Sequence, residues 1–276
     1  MRGFPAQNRF LGGLAVALLA LAQASPARAG DPELVYTTIS TTHFNIHYHQ
    51  GLENLARETA AIAEEVHEEL TILFSWEVDG PTEVVLRDST DSANGWARAS
   101  PRPQIMIYAT VPTLDSSLAS YDHWIRTLFT HEYTHVIHLQ MHGGIARAIN
   151  AVFGDVYLPN QMQPRWFIEG LAVMDETYGT TAGRIRSSYY RMSVRIAALE
   201  GDLLTLDRLS NSTRQFPRGH NDYIYGAMFV NWLRDRFGVE KLVEICRAYG
   251  SEPIPYGLNR IFRRVLGTPL AELYEE

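Results

Sequence analysis

Two hydrophobic rhythms divide the chain. Residues 43–49, HFNIHYH, repeat at every second position, with Phe44, Ile46 and Tyr48 on one face and His43, Asn45, His47 and His49 on the other. That period predicts a half-buried strand. No carboxylate or cysteine stands among its histidines, so their face is expected to be solvated and not metal-binding. From 53 to 74 the rhythm lengthens. Leu55, Thr59, Ile62, Val66, Leu70 and Leu73 recur at helical spacing, with acids filling much of the rest. Gly80-Pro81 closes this unit. TEVVLR (82–87) and IMIYAT (105–110) read as short strands, and DSTDSANGWARAS between them as loop and hairpin material.

After Val111 the pattern turns mostly helical. One helix is predicted from about Ser120 through His142, stopped by Gly143-Gly144. Others are predicted over 164–179, 187–201, 220–238, 239–250 and 257–267. TPLAELYEE begins like a further helix, with Thr268 at the cap and Pro269 in the first turn. It has barely two turns, which leads to the expectation of a fragment of a longer protein, or of a chain trimmed at a domain edge. The expected class is α+β, with a sheet-containing N-terminal lobe (30–142) and a mostly helical C-terminal lobe (143–276).

Composition changes this picture in two places. Hydrophobic residues at 46% and charged residues at 20% are globular values and exclude disorder. Residues 1–29 read as a secretory signal peptide: Arg2 and Arg9 open it, Leu11 to Ala22 is apolar, and Ala27-Arg28-Ala29 is a small-x-small cleavage site. The apolar run is too short for a bilayer span, which takes roughly 20 residues. No stable membrane insertion is therefore expected after cleavage. An exported bacterial protein, periplasmic, outer-envelope or secreted, is expected instead. Cleavage removes three arginines and no acid, taking the net charge from −7 to −10. An acidic chain is a poor nucleic-acid binder. Cys246 is the single cysteine, so no internal disulfide is available, and it is expected to be a buried, inert thiol.

Within the helix predicted over 120–142 stands FTHEYTHVIH. On a helix His131 and His135 lie one turn apart on one face, where both imidazoles can reach one Zn2+. Glu132 is rotated by roughly 100°, out of the ligand plane but placed to take a proton from a water at the metal. A third ligand is needed. His138 and His142 lie about 10 and 16 Å further along a continuous helix, too far for the same ion. They are expected to be packed or solvent-facing. The metzincin pattern breaks the helix with a glycine three residues after the second histidine; here that position is His138, and the third-ligand position is Met141, which disfavours that class. Glu169, in RWFIEGLA, is the better candidate: a carboxylate among Trp166, Phe167, Ile168, Leu171 and Ala172 is costly to bury without a cation. Gly170 and Ala172 would let its helix approach the first.

HEYTH followed by WFIEGLA resembles the gluzincin metallopeptidases, and within them the peptidase MA-like domains of exported bacterial proteins. The resemblance runs from about His43 to the C-terminus. It implies a zincin-like fold, a peptide or protein substrate, zinc held by His131, His135 and Glu169, and Glu132 as general base. Thermolysin-like relatives carry an aspartate four residues after the ligand glutamate. Here that position is Val173, Asp175 falls on the far side of the helix by angle, and Glu176 returns to the ligand face as a candidate partner for a zinc histidine. YIYGAMFVNWL resembles the tyrosine-x-x-glycine helix of gluzincin aminopeptidases, which makes Tyr223 the candidate oxyanion donor, with Tyr225 and His220 as rivals. By the same resemblance the IMIYAT strand would pair with an extended substrate, and a β-propeller could follow the domain. A zinc-stabilised, non-hydrolytic envelope module and a peptidase regulated by a missing C-terminal domain are the alternative readings.

Overall fold

The strand rhythm of the N-terminal half builds one mixed sheet. The computed structural model describes residues 31 and 33–276 apart from 212 and 255, so the expected signal peptide lies outside the described residues. Five strands, β1 (Tyr36–Ser40), β2 (Phe44–His49), β3 (Thr82–Arg87), β4 (Gly95–Arg98) and β5 (Gln104–Tyr108), lie in the order β1-β2-β3-β5-β4. β2, β3 and β5 run parallel, and β1 and β4 pair antiparallel at the two edges. Phe44 and Ile46 are fully buried, as the alternation requires, and Val84, Leu86, Ile105 and Ile107 continue that core face.

Three expectations are corrected here. The stretch assigned to loop and hairpin contains β4, whose four residues carry too little pattern to announce a strand. β5 is paired on both sides, to β3 and to β4, so the free edge belongs to β4. The histidine face of β2 is also not simply solvated. His43 Nδ1 lies 2.6 Å from Glu64 Oε2, and His47 Nε2 lies 2.5 Å from Glu83 Oε2. Those carboxylates come from other elements, which a scan of the strand alone cannot see.

The helices are α1 (Glu53–Phe74), α2 (Trp124–Gln140), α3 (Gly144–Phe153), α4 (Arg165–Tyr178), α5 (Ser188–Leu199), α6 (Asn221–Phe237), α7 (Val239–Gly250), α8 (Leu258–Leu266) and α9 (Leu270–Glu275). α2 starts four residues later than expected, because the His123 ring accepts from the Arg126 N–H and caps it. It ends two residues short of His142. α1 covers one side of α2 and α4 the other, so α2 is buried almost around its circumference, polar residues included. None of the described helices is long and apolar enough to cross a membrane.

α4 packs closely on α6 through two glycines. A Cβ on Gly226 would lie 2.2 Å from the Trp166 carbonyl oxygen, and one on Gly170 would lie 2.5 Å from that of Gly226. Gly170 thus serves the approach to α6, not the approach to α2 expected from the sequence. Gly226→Ala should cost about 1–3 kcal/mol through overpacking, read as a lower urea midpoint at unchanged m-value.

Candidate metal centre

α2 and α4 bring His131, His135 and Glu169 to one point. The Nε2 atoms of the two histidines lie 3.2 Å apart. Glu169 Oε2 is 3.4 Å from the first and 3.3 Å from the second. A cation held tetrahedrally with bonds of about 2.0–2.1 Å spaces its ligands by about 3.3 Å, so this triangle has the edges of three corners of a zinc tetrahedron. All three side chains are buried, and Glu169 Oε2 receives no hydrogen bond. A buried oxygen without a donor is costly, and a divalent cation removes that cost. The donor set of two imidazoles and one carboxylate is one that suits zinc. Among the described residues no other group of three or more His, Cys, Asp or Glu side chains converges in this way.

Charges behind the triangle fix its orientation. His131 Nδ1 lies 3.0 Å from Glu176 Oε2. Donating its N–H there turns the Nε2 lone pair towards Glu169 and His135. Arg184 Nε and Nη2 donate to the two Glu176 oxygens at 2.7 and 2.5 Å. Burial would raise the Glu176 carboxyl, but Arg184 and His131 overcome it and hold the pKa at about 2. Glu169 is likewise driven below the usual carboxylate range against its burial, by His131 and His135. Its other oxygen faces Arg165 Nη2 at 3.3 Å, and Arg165 Nε binds Asp222 at 2.6 Å. Removing the Glu176 carboxylate by Glu176→Gln should weaken zinc binding about 10–100-fold in competition with a chelator, with the fold retained.

Glu132 stands off the triangle, as its rotation on α2 requires. Burial raises its pKa. It faces a cavity of about 300 Å³, also lined by Gly95, Arg184, Tyr190, His220 and Tyr223. Gly95 on β4 approaches it closely: a Cβ there would crowd Glu132 Oε1 at 3.2 Å and the Met106 carbonyl at 3.0 Å. The Tyr223 ring stacks on His131 with centroids 6.3 Å apart, under the Arg184 guanidinium at 5.2 Å. Burial and Glu169 raise the pKa of its hydroxyl, keeping it a donor. His220 meets the Tyr223 ring at 6.3 Å on the exposed rim. Tyr225 is the tyrosine the structure turns away: it is buried near Leu204 and is absent from the cavity wall.

The remaining candidates settle elsewhere. His138 is fully buried against Phe167, and its burial pushes the pKa down to about 3. His142 Nδ1 bonds the Gln140 carbonyl. Cys246 is buried, with its thiol pushed up by burial. Asp175 corrects an expectation, since it accepts from Thr134 on α2 at 3.2 Å. Roughly 120° around α4 from Glu169, it still faces α2 and not the far side. Burial pushes the Asp175 pKa up to about 7. Arg184 and Arg165 were missing from the sequence reading. Arg184 lies in a short turn with Arg186 two residues on, and nothing in the pattern tells the buried arginine from the exposed one.

No family model matches the sequence. An uncharacterized protein of Treponema pallidum (strain Nichols) is 27% identical over 240 residues, covering 86% of this chain and 21% of that protein. The chain therefore spans about a fifth of the length of this curated relative. Among solved structures, an M1 zinc metallopeptidase from Deinococcus radiodurans is 17% identical with a TM-score of 0.46, covering 88% of this chain and 50% of that one. A two-domain M1 zinc metallopeptidase variant bound to L-arginine is 16% identical, with the same TM-score and coverages.

Proposed function

We propose that the chain is a zinc-dependent peptidase of an exported bacterial protein. The observation that carries this reading is the triangle of His131, His135 and Glu169 donor atoms, 3.2 to 3.4 Å on a side, with Glu132 beside it in the cavity wall. Zinc held there would supply Lewis acidity, polarising a peptide carbonyl and acidifying water. Glu132 takes the proton from the attacking water and passes it to the leaving amine. Tyr223 donates to the oxygen that gains charge, with Arg184 adding a buried positive charge behind it. Glu176 positions His131. β4, as the sheet edge whose Gly95 lines the cavity, offers backbone groups to an extended substrate.

The test is zinc content together with peptide-library cleavage, with and without a chelator, on the chain from residue 30 onward. One zinc per chain and chelator-sensitive cleavage are expected. Tightly bound zinc with no cleavage of any peptide would reject the enzyme reading in favour of a zinc-stabilised module.

A further inference from the structure

Between Arg184 and His220, both in the cavity wall, the chain crosses the surface with a charge opposite to that of the whole protein. Residues 186–218 hold six arginines against three acids, in a chain of net charge −7. Arg191, Arg195, Arg208, Arg214 and Arg218 are exposed, and none has a carboxylate partner among the described residues. The bonds of Arg191, Arg208 and Arg218 go to neutral oxygens of Ile185, Gln215 and Arg214.

Apolar side chains share this surface. α5 buries Tyr190, Ser193 and Ala197 on its inner face. Its outer face exposes Met192, Ile196 and Leu199, one turn apart, with Leu199 75% exposed. Arg191 and Arg195 each precede a stripe residue and flank it by roughly 100°. Leu203 and Phe216 extend the exposed apolar set beyond the helix. Gln215 binds both Asp202 and Arg208, tying the following loop to the end of α5.

We propose that this face docks the protein on an anionic phospholipid surface. An apolar stripe flanked by arginines suits the bilayer interface, where the side chains enter the acyl boundary and the guanidinium groups meet phosphate. An acidic polypeptide would answer the arginines but leave the stripe in water. The overall negative charge does not prevent docking, because at physiological salt a surface charge acts over only about 8 Å, so the lipid meets the local patch. Docking of this kind would place the cavity near the membrane. The inference is independent of whether the metal site hydrolyses peptides.

The experiment is sedimentation of the zinc-loaded chain, residues 30–276, with vesicles of phosphatidylcholine alone and of phosphatidylcholine mixed equally with phosphatidylglycerol. Binding to the anionic vesicles only, weakening as salt rises, is expected. Arg191→Glu with Arg195→Glu should lower the partition coefficient about tenfold or more. Met192→Ser, Ile196→Ser and Leu199→Ser together should also lower it, with zinc content and melting temperature unchanged in both variants. Equal binding to neutral and anionic vesicles, no binding to either, or full binding by both folded variants would overturn the proposal. So would arginine-dependent capture of a polyglutamate peptide by a chain that ignores vesicles.

Discussion

Glu132→Gln should bind zinc as tightly as the parent chain and lose about 10²–10⁴-fold in kcat/KM. The two halves of that result have separate causes. The Glu132 carboxylate takes no part in the triangle made by His131, His135 and Glu169, so the amide leaves every ligand in place. The amide has nearly the same shape, which matters because Gly95 lies close beside it. It cannot accept and return a proton. Zinc measured by absorption, set beside turnover of a peptide substrate, reads both halves. Undiminished cleavage with zinc bound would remove Glu132 from the mechanism. Loss of zinc would mean that the carboxylate belongs to the metal centre after all.

His135→Ala and Glu169→Ala should each lose the metal. Loss of a supporting partner alone costs about 10–100-fold in affinity, and loss of a ligand should exceed about 100-fold. The expected signature is thermal as well as chemical. Zinc binds the folded state, so a chelator should lower the melting temperature of the parent chain and leave that of either variant unmoved. A variant that still holds one zinc per chain after dialysis would show that another side chain completes the site. His138 on the same helix and His142 just past its end are the natural suspects. Since His138 is enclosed against Phe167 and His142 bonds the Gln140 carbonyl, neither is expected to do so.

The helical elements were largely legible because their apolar repeats are long and several stop at a glycine. α1 spans the predicted residues, and α6 lies one residue inside each predicted end. β4 was not legible, since four residues with one partner strand hold no period to detect. The site divides in the same way. Two histidines a turn apart advertise themselves, and Glu169 betrays itself by its apolar neighbours. Glu176 showed only as a helical register, and the structure supplies its contact with His131. Arg184 carries no local mark, because it is buried by tertiary packing around a short turn. Residues set by covalent spacing could be read; those set by what folds over them could not.

The paired glycines between α4 and α6 bear on how such a cleft can move. Glu169 directly precedes Gly170, and Tyr223 stands less than one turn before Gly226. Where main chain rests on main chain there are no rotamers to give way, so the distance from carboxylate to phenol is held by a stiff back wall. Any opening or closing motion then belongs to the opposite jaw, where the short edge strand and the segment carrying Ser117 and Ser120 border the cavity. A tethered probe on that jaw would report substrate entry, and one on the glycine side would stay silent.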